Sequence, residues 1–376
     1  MSLRPKRHHS AANEMKVGLL APPWVPVPPP SYGGTEAVVD RLARGLVAAG
    51  HEVLLFAPGD STCPVPTVPH TLPARPDQIG ITTVELAYVI RGHDCLSVCD
   101  VVHDHTLAGP AIGRRRNAPA MVTTSHGPFT PEVSEVYRSF ARRVPIIAIS
   151  HAQAVEASMQ GIHVGRVIHH GLDPEEITAG AGAGGYLLFL GRMHPDKGID
   201  VAARVARAAG IPLRIAAKMR EPAEREWFEK AVKPLLGEDV TYVGEADRAE
   251  ALALLQGAAA LLNPIQWCEP FGLVMVEALA AGTPVLAFPN GAAPEIIEDG
   301  VTGYLCSDEQ AMVARVPDAL TLDRAACRDA VLSRFSTARV VQDHVAMYEL
   351  AITSLKHGRR PSEEARSRPP RLQVAR

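Results

Sequence analysis

Apolar residues in this chain fall into short runs of four to six, set between longer stretches with helical spacing. That alternation is the mark of parallel strands buried on both faces and covered by helices. In the first half the runs lie at 17–21, 52–57, 101–105, 121–127, 146–150 and 167–168. In the second half they lie at 186–190, 213–218, 240–244, 258–262, 284–288 and 302–305. After the first run comes a proline-rich stretch, 22–34, then a helix to about residue 49. Its Ala37, Val38, Leu42 and Leu46 share one face, and Gly50 follows its end. Residues 60–80, rich in Pro and Thr, read as an irregular insertion. A last amphipathic helix covers 338–356, with Val340, Val341, His344, Met347 and Leu350 in register.

The pattern divides the chain into two α/β units. Residues 15–172 form the first and 186–337 the second, with 173–185 between them. The connector ends in Ala-Gly-Ala-Gly-Ala-Gly-Gly. This glycine run precedes a strand rather than following one, so it lacks the context of a dinucleotide loop and reads as a flexible linker. Residues 1–14 and 357–376 read as disordered extensions. The second carries six arginines, which would allow weak peripheral contact with an anionic membrane, although a solvated tail is the plainer reading.

Candidate chemistry gathers where strands end. Residues 263–284 run Asn-Pro-Ile-Gln-Trp-Cys-Glu-Pro-Phe-Gly-Leu-Val-Met-Val-Glu-Ala-Leu-Ala-Ala-Gly-Thr-Pro. Asn263, Pro264 and Pro270 force a loop, helix formers begin at Phe271, and Gly282 and Pro284 stop the helix. Glu269 therefore sits in a loop at the carboxyl end of a strand, where open α/β sheets bind ligands. Gly272 lets a ligand approach the backbone. The amides at Gly272 and Leu273 open a helix N-terminus, which favours a diphosphate. Glu277, one to two turns in, suits a pair of ribose hydroxyls.

A second strand end carries Gly-Arg192-Met-His-Pro-Asp-Lys197-Gly, two cations flanking a turn before a helix, which also suits a diphosphate. Gly33 and Gly34 lie between the first strand and a helix, where phosphate loops occur, though a plain tight turn would look the same. They do not form G-x-G-x-x-G, which weakens a nicotinamide reading. His103 and His105 alternate on one strand and share a face, with Asp104 opposite. His169 and His170 form another pair. Neither pair has a regular third ligand, so no metal site is assigned.

Here the residues carry a resemblance. Glu269 and Glu277, with Pro-Phe-Gly after the first and Ala-Leu-Ala-x-Gly-x-Pro-Val after the second, resemble the E-x(7)-E motif of retaining glycosyltransferases of family 4. The G-R-x4-K-G stretch at 191–198 is similar to that family as well, and the likeness covers essentially 15–356. It implies a GT-B architecture, two Rossmann-like doubly wound parallel-sheet domains facing a cleft. It also implies that Glu269 contacts the donor sugar, Glu277 and the amides of Phe271, Gly272, Leu273 and Val274 hold the nucleotide, and Arg192 and Lys197 bind diphosphate. Gly33 and Gly34 would face the donor phosphates, and Val243 and Gly244 the nucleobase. His126, in Ser-His-Gly at a strand end, would reach the donor sugar. Glu269, His126, Arg192 and Lys197 are thus the expected catalytic set. Relatives commonly carry Ala-Gly-x-Gly where this chain has Ala217-Lys218-Met219, which leaves contacts at that edge open. The helix 338–356 would cross back to the first domain.

The expected activity is retaining transfer of a hexose from a nucleotide-diphosphate sugar, a UDP-sugar first and GDP-mannose second. No cofactor or metal is needed, since the nucleotide sugar is a substrate and the chain contains no D-x-D triad. The acceptor, a small molecule, glycan or lipid, would meet the loops at 60–80 and 127–145. Two alternatives share the fold: an isomerase like the hydrolysing UDP-N-acetylglucosamine 2-epimerase, which the intact glutamate motif disfavours, and a non-catalytic sugar-nucleotide scaffold.

Bulk properties narrow the partners. The chain has 376 residues and net charge −3, large enough for two cores and without a general attraction to nucleic acid. Aromatics at 5% give no base-stacking surface. Six cysteines without a C-x-x-C pair read as reduced thiols of a cytoplasmic protein. Cys268 reads as a small buried filler.

Overall fold

The computed structural model describes residues 14–31, 33–69, 72–112 and 118–357. Nearly all of the two terminal extensions read from the sequence, and Tyr32, lie outside them.

Every apolar run becomes a parallel strand. In the first unit these are β1 (Lys16–Leu20), β2 (Glu52–Phe56), β3 (Val101–Asp104), β4 (Ala120–Thr124), β5 (Ile146–Ala148) and β6 (Arg166–Val167), in the order β2-β1-β3-β4-β5-β6. The second unit contains β7 (Leu187–Arg192), β8 (Leu213–Lys218), β9 (Val240–Gly244), β10 (Ala260–Asn263), β11 (Val285–Ala287) and β12 (Gly303–Leu305), in the order β12-β11-β10-β7-β8-β9. Both faces of each sheet are covered, so strand residues such as Leu19, Leu55, Leu187, Leu261 and Leu286 are fully buried. This is the GT-B arrangement that the resemblance implied.

The strand orders decide where a ligand can sit. In each sheet the winding reverses once, between β1 and β3 and between β7 and β10. Helices leave in opposite directions at such a point, and a crevice opens outside the strand ends. The loops there are 21–33 and 105–108 in the first unit and 193–198 and 264–272 in the second. The two crevices face one another.

Two connections join the units. The glycine-rich connector is not slack: the amides of Gly180, Gly182 and Gly184 donate to the carbonyls of Ala281, Gln256 and Gly257 at 2.9, 3.0 and 2.9 Å. A Cβ on Gly180 would lie 2.1 Å from the Gln256 oxygen, so glycine is there for close approach rather than flexibility. The helix Thr337–Lys356 returns to the first sheet, and its Val340, Val341, Met347, Tyr348 and Ala351 join the core built on Val17, Leu19 and Leu55.

Candidate active site

Between the units lies a cleft of about 1330 Å³. The two switch-point loops of the second unit are locked together. Gln266 donates its amide to the Asp196 carbonyl at 2.8 Å. Gly198, at φ +69°, lets the chain turn with its α-carbon against the Pro264 carbonyl, where a Cβ would come within 2.1 Å. This register places the Lys197 ammonium on the Glu269 carboxylate in a short charge-assisted contact. The same ammonium lies 5.4 Å from the Trp267 ring centre. Both side chains are mostly shielded, at 12% and 16% exposure, so little water competes for the pair.

The Glu269 backbone is held from behind by the loop after β11. The Ala292 amide donates to the Glu269 carbonyl at 3.0 Å, and Asn290 Nδ2 donates to the Ile265 carbonyl at 2.7 Å. Gly272 then turns at φ +93° to open the helix Leu273–Ala280. Its first amides have no partner within the helix, and the cleft is lined at this point by Glu269, Pro270, Phe271, Gly272, Leu273 and Val274. Phe271 is also 2% exposed and rests edge-on against His170 at 5.2 Å.

Arg192 lines the same wall. Its Nε is buried without a hydrogen bond, with Glu224 Oε1 4.0 Å away. Lys218, at the edge where the resemblance implied glycine, reaches Glu224 at 3.2 Å and Glu221 at 2.8 Å, so it is anchored within the wall. Glu277 spans the cleft, its Oε1 accepting from Arg248 at 2.9 Å and from Arg41 of the first unit at 3.5 Å. Val243 and Gly244 end β9 but do not line the cleft. The residues after them do, Glu245 to Arg248.

Gly33 and Gly34 open the helix Gly34–Ala48 on the opposite wall. The two units come so close here that a Cβ on Gly34 would touch Leu273 at 3.6 Å. His126 is also on the cleft wall. Its Nε2 shares a proton with His105 Nδ1 at 2.9 Å, and its ring stacks on His170 at 5.3 Å. Burial, with the nearby His344 adding to it, pushes the His126 pKa down to about 3. The ring is therefore neutral at physiological pH, able to hydrogen-bond a sugar hydroxyl without carrying charge.

His103 and His105 do share a face, their rings 4.0 Å apart. His103 is spent on Tyr348 at 2.8 Å and Thr124 at 2.7 Å. The pair His169 and His170 separates. His169 meets Glu295 at 2.7 Å, and Glu295 also accepts the amides of His151 and Ala152, each at 2.8 Å. His151, His169 and Glu295 thus come within metal-ligand range of one another. The carboxylate is already committed as a cap on the helix His151–Met159, joining the second unit to the first. Cys268 is exposed rather than a buried filler, and all six cysteines are free. Of the loops expected at the acceptor side, 60–80 contributes Pro76, Asp77 and Ile79 to the cleft, whereas 127–145 turns inward on Phe129, Tyr137 and Phe140.

The buried histidines predict an acid response. His344, on the C-terminal helix, is pushed down to about 4 by burial, against an ordinary 6.5. The folded state resists protonation of His344 and His126, so below about pH 6.5 the unfolded chain takes up these protons first. Stability then falls with pH until the folded rings titrate near 4 and 3. Each ring is expected to cost on the order of 1 kcal/mol at a pH one unit below 6.5. Urea midpoints at pH 7.5 and 5.5 should differ less in His344→Leu than in the parent. An equal difference in both would show that His344 does not contribute.

Comparison with known proteins sets this geometry in a family. The model of "Glycosyl transferases group 1" matches residues 140–330, half of the chain. The chain belongs to the group 1 glycosyltransferases. The model of "Glycosyltransferase Family 4" matches residues 32–176 of this transferase, across the first unit. The transferase is 29% identical over 370 residues to glycogen synthase of Mycobacterium tuberculosis, covering 82% of this chain and 87% of that one. It is 27% identical over 393 residues to the D-inositol 3-phosphate glycosyltransferase of Mycolicibacterium smegmatis, covering 89% and 90%. Among solved structures it is similar to AviGT4, a glycosyltransferase involved in avilamycin A biosynthesis, at 28% identity and a TM-score of 0.65 over 90% of this chain and 98% of the other.

Pattern reading of the transferase did not reach Arg41, Arg248, Glu36 or the Glu295 cap. Arg41 and Glu277 are 236 residues apart in sequence. Glu277 was read from its motif, but nothing local marks Arg41 as its partner.

Proposed function

We propose that the protein transfers a hexose from a nucleotide-diphosphate sugar, a UDP-sugar before GDP-mannose, with retention of the donor's anomeric configuration and without a divalent metal. The observation that carries this reading is the Lys197–Glu269 pair beside the open amides of the helix Leu273–Ala280. Arg192, Lys197 and those amides would hold the diphosphate as it leaves, supplying the positive field at the point where negative charge builds. Glu269, oriented by Lys197, would hydrogen-bond the sugar hydroxyls. Glu277 would take a ribose hydroxyl beside the oxygen already given to Arg248 and Arg41. Residues 243–248 would border the base.

The E-x(7)-E resemblance and the set of groups lining the cleft both support retention. Inversion needs a base on the sugar face opposite the leaving group. His126 is the first-unit group that the resemblance brings to the donor sugar, and its neutral ring, tied to His105, suits a hydrogen bond to a hydroxyl. In a front-face reaction the acceptor approaches from the side the diphosphate leaves. The acceptor oxygen bonds to the anomeric carbon as the carbon–oxygen bond to diphosphate breaks, and the departing oxygen accepts the acceptor's proton. The epimerase alternative is not favoured, and incubation with UDP-N-acetylglucosamine should give no 2-epimer.

Thermal-shift measurements with UDP and GDP test the donor. A nucleotide at 100 times its Kd should stabilise the fold by about 2.7 kcal/mol, and no response to either would overturn the reading. Proton NMR of fresh product from an α-linked donor should show an α coupling, and a β coupling would refute the front-face account. EDTA-treated protein should keep most of its activity. Complete loss, restored by manganese, would show that Arg192 and Lys197 do not suffice.

A further inference from the structure

The wall contributed by the first unit differs in character from its partner. On it Trp24, Pro28, Pro29 and Ile79 form an apolar patch. The segment bearing Ile79 is fixed to the proline-rich loop, since the Arg75 amide donates to the Pro23 carbonyl at 3.1 Å. Trp24, half-buried, offers the kind of flat face on which the C–H side of a sugar ring rests.

Charge on this wall is lopsided among the described residues. Three carboxyl groups of the first unit line it, Glu36, Asp40 and Asp77, with Glu176 of the connector beside them, against two arginines, Arg41 and Arg44. Both arginines are engaged. Arg44 meets Asp40 at 2.9 Å and Glu176 at 2.7 Å, and Arg41 meets Glu277 at 3.5 Å and Glu176 at 3.9 Å. Arg41 Nη1 has no hydrogen-bond partner, but it is sealed from solvent. His126 and His170 are neutral, their protonation suppressed first by burial.

Glu36 stands apart. It is 5% exposed yet lines the cleft beside the Gly33–Gly34 turn, and its carboxylate accepts a hydrogen bond from its own backbone amide. Burial raises its pKa to about 7. A largely buried carboxyl group with acceptor capacity left over beyond its own amide, on the wall of a cleft, stands ready for a ligand hydroxyl or amine.

We infer that this wall is an acceptor subsite for an uncharged or amine-bearing sugar or cyclitol, whose hydroxyl or amine hydrogen-bonds to Glu36 while its ring lies on Trp24, and that it excludes rings phosphorylated where they meet the wall. The inference rests on the transferase reading above. A phosphate would meet Asp77 and a partly ionised Glu36 with no unengaged cation beside them among the described residues, and like charges across a contact act against binding. An ammonium would find the opposite.

The test uses the full chain with whichever of UDP-glucose or GDP-mannose it binds. Acceptor probes are methyl glucoside, methyl galactoside, methyl mannoside and myo-inositol, each in plain, amino-substituted and phosphorylated form. Plain and amino forms of at least one ring should show a KM 10-fold or more below that of the phosphorylated form. Glu36→Gln should raise the KM of the amino form about 10-fold while the thermal response to UDP or GDP persists, which shows an intact fold. Asp77→Asn, at an exposed position, should shift the same preference in the same direction with no risk to folding. Preference for the phosphorylated forms, indifference to charge, or failure of all probes with an intact nucleotide response would overturn this inference alone. Absence of any nucleotide response would overturn the donor reading and this inference with it.

Discussion

Lys197→Ala is expected to lower kcat/KM by roughly 10- to 100-fold or more. A charge-assisted hydrogen bond to phosphate is worth about 1.5–3 kcal/mol, and its loss alone gives that range. The substitution has a second consequence, since it leaves Glu269 without the ammonium that now orients it. Turnover should therefore fall along with nucleotide affinity. Lys197→Arg should recover part of the affinity but less of the turnover, because a planar guanidinium cannot reproduce the point contact with Glu269. Fluorescence titration with UDP and initial rates under saturating donor separate the two effects. Unchanged affinity and unchanged turnover in both Lys197→Ala and Arg192→Ala would sink the assignment of the diphosphate site.

Gly291→Ala should be as damaging although residue 291 performs no chemistry. Gly291 has φ +57°, and a Cβ there would lie 2.1 Å from the Glu269 carbonyl oxygen and 2.4 Å from its nitrogen. Two backbones cannot share that space, so the Glu269 loop must move. A displacement near 1 Å at a positioned group costs about 100-fold in rate. The left-handed conformation itself adds about 1–2 kcal/mol of instability for alanine. Gly210→Ala supplies the control, because Gly210 has φ +68° and nothing within 4 Å of its added methyl group. It should lose only the stability that the left-handed conformation costs and keep its activity. If Gly291→Ala matches Gly210→Ala in kcat/KM, Glu269 is not held in place by this contact.

The fold was legible because burial on both faces leaves the same mark on every parallel strand, a short apolar run that needs no partner to be recognised. The candidate site was legible in part for a related reason. Arg192, Lys197, Glu269 and Gly272 each sit within a few residues of a strand end, and strand ends are local features. What stayed hidden depends on pairings across the cleft. Nothing near Arg41 announces Glu277, and nothing near His169 announces Glu295 or the amides of His151 and Ala152. The glycine run at 180–185 misled in an instructive way. Glycine serves both slack chains and tight contacts, and only the carbonyls of Gln256 and Gly257 decide between them. Cys268 misled similarly, since an apolar-leaning residue in a loop carries no sign of which way it faces.

The helix Thr337–Lys356 has a consequence for how the chain is made. Its Val340, Val341, Met347, Tyr348 and Ala351 close the core of the first sheet, and Tyr348 is fully buried there against His103. During synthesis the first unit leaves the ribosome with that side of its core open to water. It stays open until some 180 further residues have emerged and the last helix can dock. The second unit also borrows from its neighbour, but the residues it takes, Ile149 and Leu172, have already emerged, so it can complete its own sheet earlier. The half of the protein made first is thereby the half finished last, and a chaperone acting on the nascent chain would meet the uncovered surface of β3 and β4.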